Sequence, residues 1–249
     1  MYLLTETASP FALERWAAFF ANFGQFAKGF FYTLGISIGA LIVALLLGLI
    51  FGAMSSTHNK VLRGISRVYV EIFQNTPLLV QFVVVFYGIS ILTDGHVMIP
   101  ISLTAILCVG VYTGAYISEI IRTGIEAVPK GQTEAALSQG FTYADTMRII
   151  ILPQAVRTIL PPLTNQVVNL IKNTSTVAII SGADIMFTAK AWAYDTTNYV
   201  PAFAGAAFLY FIMCFPLATW ARRKEEENKK AYKGGPLCQK FYQLLTLNS

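Results

Sequence analysis

VPKGQTEAALSQGFTYADTMRIIILPQAVRTILPP, Val128 to Pro162, is the stretch on which the reading of this chain turns. It is the longest segment in the second half without an apolar run able to span a bilayer, and such runs lie on both sides of it. Read locally, it is two short helices. Pro129 suits a first helical turn, where its missing N–H would have no partner anyway. Glu134, Ala135, Ala136 and Leu137 are good helix formers. Gly140 sits where a left-handed cap would end that helix. Thr142 followed by Asp145 makes a variant capping box, with Asp in place of Glu or Gln, and starts the second helix. Pro153 is expected to kink or end the second helix, and Pro161-Pro162 to close the segment. Local physics leaves open whether this is a plain cytoplasmic loop with an amphipathic hairpin or a working part.

The full chain has 249 residues, 55% of them hydrophobic and 12% charged, and a mean hydropathy of +0.57. A soluble domain carries about 25% charged residues, so this chain has too few charges to wet a globular surface. Its net charge of +5 does not imply a nucleic-acid partner. The basic residues cluster beside apolar runs, as positive-inside topology requires. Cys108, Cys214 and Cys238 have no paired spacing and two lie in apolar runs, so no disulfide framework and no metal site are expected. The N-terminus, MYLLTETASPFALERW, lacks the basic region and long apolar core of a cleaved signal, and the first spanning helix is expected to serve as the targeting signal. No G-x-x-x-x-G-K-[ST] phosphate loop occurs. Any energy from ATP must therefore reach the chain through a partner.

In chain order, a short interfacial helix is expected around Phe11–Phe23. A first crossing follows, about Phe30 to Met54, with the small-residue pairs Gly35/Gly39 and Gly48/Gly52 for close helix packing. Lys60, Arg63 and Arg67 place the next loop inside. The second crossing, about Val68 to Leu92, opens with polar residues and Pro77, which should kink it or free carbonyls. His96 stands alone in a short outside loop. The third crossing runs about Ile101 to Arg122, and the fourth about Leu163 to Ile180, after the organising segment. Residues 182–200 are expected outside, as a short helix or re-entrant turn. The fifth crossing, about Ala202 to Trp220, stops at Arg222-Arg223-Lys224 with a solvated EEENKK run beyond. Five crossings put the N-terminus outside and the C-terminus in the cytoplasm. Gly234 to Ser249 carries no functional signal and is expected to be a mobile tail with a weakly amphipathic end. The chain shows no internal repeat and no linker, and reads as one transmembrane domain over 1–249.

Ionisable and amide residues inside spans are costly and point to function. Glu71, Gln74, Leu78 and Gln81 fall at helical spacing on the second crossing. Tyr112, Tyr116 and Glu119 do so on the third. Asn165, Asn169, Lys172 and Thr176 do so on the fourth, with Asn173, Thr174 and Ser175 beside them. Three such faces could enclose one polar path for a zwitterion, a cation meeting its carboxylate and amides its ammonium group. The alternative is that these residues pair with one another and glue helices together, Lys172 with Glu71 or Glu119 for instance.

The spacing of Glu134-Ala135-Ala136, three residues, Gly140, nine residues, Ile150, one residue, then Leu152-Pro153 resembles the EAA loop of permease subunits in ATP-binding-cassette importers. SEIIRTGIEAVPKGQ (Ser118 to Gln132) and LPPLTNQ (Leu160 to Gln166) extend the resemblance. QNTPLLVQ (Gln74 to Gln81) and LIKNTSTVAII (Leu170 to Ile180) look like signatures of the polar amino-acid subgroup. The resemblance covers roughly Gly29 to Arg222.

It implies an all-α polytopic fold of the type I importer class, with five transmembrane helices, in a bacterial inner membrane. The segment 128–162 is then the cytoplasmic coupling loop. Two permease subunits pair, as a homodimer or with a paralogue. Each docks its loop into a cleft of a separate ATPase subunit, which uses the ATP and Mg, so that this chain itself holds no cofactor. An extracytoplasmic solute-binding protein delivers a polar amino acid. Glu134, Ala135, Ala136 and Gly140 would form the docking helix and its cap, with Leu152 and Pro153 completing the motif. The path set is Glu71, Gln74, Gln81, Tyr116, Glu119, Asn165, Asn169, Lys172, Asn173 and Ser175. Asn173 stands where the subgroup often has Asp, so a carboxylate's role there does not carry over.

Two other classes compete. A stand-alone secondary transporter or channel for small polar solutes would favour inverted repeats, and none is seen. An intramembrane enzyme would need a catalytic constellation, but the two histidines, His58 and His96, both fall in expected loops, and no catalytic residue is assigned.

Overall fold

The computed structural model describes Ser9 and residues 11–233, with side chains to Glu226. Every regular element among them is helical. The expected tail from Gly234, Cys238 included, lies outside the described residues.

The scaffold begins with α1 (Leu13–Ala21) and α2 (Phe23–Ser55). Asn22 separates them, its side-chain amide donating to the Ala18 carbonyl at 2.9 Å. At 33 residues, α2 is about 50 Å long, more than the roughly 30 Å hydrocarbon core of a bilayer. It packs along its length on α6 (Ile101–Glu126). Glycines set the distance between the two helices. A Cβ on Gly48 would come within 2.4 Å of Ile117 Cγ2, one on Gly52 within 2.8 Å of Ile121, and one on Gly110 within 2.7 Å of Val43. Gly39 is equally tight against Ile106, but nothing lies within 4 Å of a Cβ on Gly35, so that member of the expected pairs is not at this interface. Gly48→Leu should therefore overpack the contact by about 1–3 kcal/mol and lower the melting midpoint in detergent. Gly35→Leu should leave it unchanged. An unaltered midpoint for Gly48→Leu would mean that the two helices can separate without loss.

The second expected crossing is not one straight helix. Asn59 caps α3 (Lys60–Gln74) by accepting from the Val61 N–H at 2.9 Å. The helix stops at Asn75-Thr76-Pro77 and turns by 97°. It resumes as α4 (Leu78–Val83), a π-helical turn (Val84–Gly88) and α5 (Ile89–Leu92). Pro77 lacks the N–H that an unbroken helix would need at that point. Glu71 and Gln74 thus lie on one arm and Leu78 and Gln81 on the other, and the single face expected of them does not exist.

After α7 (Lys130–Ser138), the chain runs from α8 (Tyr143–Asp145) through a π-helical segment (Thr146–Ile151) into α9 (Leu152–Asn173) without interruption. Two expectations are corrected here. Pro153 does not end the second helix; it sits in the first turn of α9, where a proline is tolerated. Pro161-Pro162 do not close the segment; they lie inside α9. Packing overrides the local preference: Ile159 presses on Gly124 of α6, where a Cβ would come within 2.3 Å, and α9 is also held by α11. A 3-10 turn (Thr174–Ile180) continues α9, followed by α10 (Ile185–Thr196) in the expected outside segment and α11 (Tyr199–Lys233). α11 carries on past Arg222–Lys224 and through the whole EEENKK run, so the expected stop at Arg222 is not where the helix ends.

Among the described residues three helices, α2, α6 and α11, are long and apolar enough to cross a membrane, and the bent pair of α3 with α4–α5 is a fourth if its two arms count as one span. The remaining expected crossing, α9, is not among them. Its charges, amides and prolines dilute its apolar residues.

Candidate translocation path and coupling element

The coupling element is built by its caps. Gly140 has φ +88°, and its N–H donates to Leu137 O at 3.1 Å while the Phe141 N–H donates to Ala136 O at 3.2 Å. These two bonds are the Schellman pattern that closes a helix. Nothing lies within 4 Å of a Cβ placed on Gly140, so the need for glycine comes from the backbone, not from crowding. Thr142 Oγ1 accepts from the Asp145 N–H at 3.1 Å, the first half of the expected capping box, but the Asp145 carboxylate accepts from the Thr142 hydroxyl and not from its backbone N–H. His58, from the loop before α3, meets the ring of Tyr143 edge-on at 4.8 Å.

Glu134 is the fifth residue of α7, beyond the first turn, so the helix dipole has little hold on it. Glu134 and Ala135 are exposed, as are Leu152 and Pro153, whereas Ala136 is buried. The small side chain of Ala136 therefore serves packing inside the chain, α7 resting on the π-helical segment.

The polar residues divide into two groups. Glu71, Gln74 and Glu119 line a cavity of about 1670 Å³ together with Arg67, Arg122 and Glu134 of α7. Within it the carboxylates meet arginines of their own helices: Arg67 reaches Glu71 at 3.7 Å. Arg122 donates from Nε to Glu119 at 2.9 Å and from Nη1 to Glu126 at 2.6 Å. Gln74 donates to the Ala115 carbonyl at 3.3 Å, tying α3 to α6. Tyr69 does the same at 2.7 Å through the Val111 carbonyl.

The second group is the stripe on α9. Asn165, Asn169 and Lys172 are exposed, and Asn173 and Ser175 are half-buried. Among the described residues Lys172 has no salt bridge. The suggested pairing of Lys172 with Glu71 or Glu119 is absent.

Two residues stand apart from both groups. Tyr116 shares a hydroxyl contact of 3.1 Å with Tyr112 on α6. Gln81 points its amide nitrogen back across the helix break, donating to Phe73 O at 3.3 Å and to Thr76 O at 3.2 Å. A carbonyl freed at such a break needs a donor in a membrane, and Gln81 supplies it.

Arg122 was expected only as the end of the third crossing, although the spacing Glu119, Arg122, Glu126 allows a fork on one helix face. Asp184, a fully buried carboxylate at the start of α10, was not among the expected site residues. The signal available there was an Asp two residues after a glycine and just before the apolar run Ile185–Phe187, a helix N-cap pattern.

Residues 44–225 match the family of binding-protein-dependent transport system inner membrane components. The chain belongs to that family. It is a multi-pass inner-membrane permease component of an ATP-binding-cassette importer, a transport subunit and not an enzyme, and members of the family work with an ATPase and a binding protein. The permease is 37% identical to the probable glutamine ABC transporter permease protein GlnM of Bacillus subtilis (strain 168) over 216 residues, 86% of this chain and 97% of that protein. It is 33% identical to the glutamate/aspartate import permease protein GltJ of Escherichia coli (strain K12), covering 76% of this chain and 85% of GltJ. Among solved structures, an amino acid ABC transporter crystallised with histidines superposes with a TM-score of 0.79 at 31% identity, covering 85% of this chain and 98% of that one. The inward-facing MetNI methionine ABC transporter shares the fold, with a TM-score of 0.64 at 17% identity.

Proposed function

We propose that this permease carries polar amino acids inward, pairing with a second copy or a paralogue, with α7 seated on an ATPase subunit that uses ATP and Mg. The chain itself holds no cofactor, and an extracytoplasmic binding protein hands over the amino acid. One observation carries the reading. The run from Tyr143 to Asn173 is a single helical path that begins at the coupling element and carries Asn165, Asn169 and Lys172. A push on α7 by the closing ATPase would be passed through the π-helical segment on which it rests and along that run to the polar stripe. Packed elements pass such displacements as rigid bodies. The names of the similar permeases support a polar amino acid, and the exposed Lys172 with its neighbouring amides fits a zwitterion's two charges.

The test is uptake by proteoliposomes holding the permease, its ATPase and its binding protein. Unlabelled glutamine, glutamate, arginine and histidine compete against one labelled amino acid at a time. Competition by at least one is expected, and failure of all four removes polar amino acids as the substrate class.

Orientation follows from the distribution of Lys and Arg between loops. Cysteines introduced at Asn59 and Lys130 should be shielded from an impermeant reagent in intact cells, and those at Gly95 and Asp195 should react. Labelling of Lys130→Cys from outside would invert the topology and detach α7 from any cytoplasmic ATPase.

A further inference from the structure

Three helices, α2, α10 and α11, meet at one buried carboxylate. Asp184 caps α10, accepting from Met186 N–H at 3.0 Å on Oδ2 and from Phe187 N–H at 3.1 Å on Oδ1. A cap needs no more than that. Tyr210 of α11 nevertheless donates its phenol proton to Asp184 Oδ2 at 3.2 Å. Thr33 of α2 accepts from the Ile185 N–H at 3.1 Å, and the 3-10 turn that carries Thr174 packs on α10. Thr33, Thr174 and Asp184 are all fully buried. The backbones are pressed together at this point: a Cβ on Gly29 of α2 would meet Thr188 Oγ1 at 2.9 Å and Asp184 O at 3.2 Å.

Thr174 lies between Asn173 and Ser175, and the chain changes there from α-helical to 3-10 geometry. Thr174 is buried, its hydroxyl donating to the Ile171 carbonyl at 2.6 Å, while its two neighbours are half-buried. We propose that Asp184 and Tyr210 are positioning residues for the translocation path: they fix α10, and with it the 3-10 turn packed on it, so that Asn173 and Ser175 keep their place beside Lys172. The proposal rests on the reading of Asn173 and Ser175 as path residues. Neither Asp184 nor Tyr210 touches the substrate. A polar knot whose members are all satisfied fixes geometry more firmly than an apolar contact of the same size, and a small misplacement of binding groups lowers productive turnover steeply.

The test uses the whole assembly in proteoliposomes and reads the ATP hydrolysed per amino acid transported. The substrate is the amino acid with the highest wild-type rate among glutamine, glutamate, arginine and histidine. Both quantities scale with the amount of folded protein, so a mere loss of yield leaves the ratio unchanged. Tyr210→Phe removes one hydroxyl and keeps the ring. Asp184→Asn keeps a capping acceptor and removes the charge. Each should raise the ratio by about threefold or more, in the same direction as Asn173→Ala and Ser175→Ala. If the two path variants raise the ratio and the two knot variants do not, the positioning role is wrong and the path reading survives. If Asn173→Ala and Ser175→Ala leave the ratio at the wild-type value, the path reading fails, and the positioning role falls with it.

Discussion

Gly140→Val is expected to abolish transport and co-purification with the ATPase while leaving the permease in the membrane. Gly140 has φ +88°, a region that costs an L-residue about 1–2 kcal/mol and that β-branched side chains avoid most strongly. The cost falls on the two bonds that close α7, from Gly140 N–H to Leu137 O and from Phe141 N–H to Ala136 O. Losing them unwinds the end of α7 and turns the chain wrongly into Thr142, so the docking face leaves the π-helical segment that should receive its push. The site itself is roomy, since a Cβ there meets nothing within 4 Å. Gly140→Asn should therefore keep most activity, because Asn adopts this conformation more readily. Glu134→Lys, at an exposed position on α7, should reverse the charge presented to the ATPase and weaken docking with the helix intact. The measurements are ATPase stoichiometry after purification and substrate-stimulated hydrolysis. Wild-type values for both Gly140→Val and Glu134→Lys would reduce α7 to an ordinary loop helix.

Lys172→Met should cut uptake by about ten- to a hundredfold, the equivalent of losing one charge-assisted contact of about 1.5–3 kcal/mol. Met is close in length and apolar, and Lys172 is exposed on α9, so insertion and folding should be unaffected. The structure also separates the two explanations for a lysine at this depth. Glu71 is engaged by Arg67 and Glu119 by Arg122, so neither carboxylate waits for Lys172. Combining Lys172→Met with Glu71→Gln or Glu119→Gln should therefore fail to restore uptake. Restoration by either would show that Lys172 balances a carboxylate and meets no substrate. Normal uptake by Lys172→Met alone would remove it from the path.

The legible part of this permease was local. Gly140 and Thr142 act on residues within one helical turn, and each forms the boundary expected of it, while Pro129 stands one place earlier than expected, at the N-cap of α7 and not in its first turn. The three apolar spans were equally legible, because bilayer thickness imposes a length and an apolarity that one segment must meet alone. Proline signals were legible only in part. Pro77 does break its helix, but Pro161-Pro162 do not, because Ile159 and Gly124 lock α9 against α6. The destinations of the polar side chains were not legible at all. Helical spacing along the chain made Glu71, Gln74 and Gln81 look alike, yet a 97° turn separates Gln81 from the other two. Glu71 then pairs with Arg67, Gln74 ties α3 to α6, and Gln81 closes a broken helix. Asp184 meets Tyr210 and lies beside Thr33, residues far from it in sequence that come together only when α2, α10 and α11 pack. A helix end is settled by hydrogen bonds over four or five residues. The partner of a buried polar group is settled by whichever distant group the packed backbone brings within about 3 Å, and no spacing along the chain records that distance.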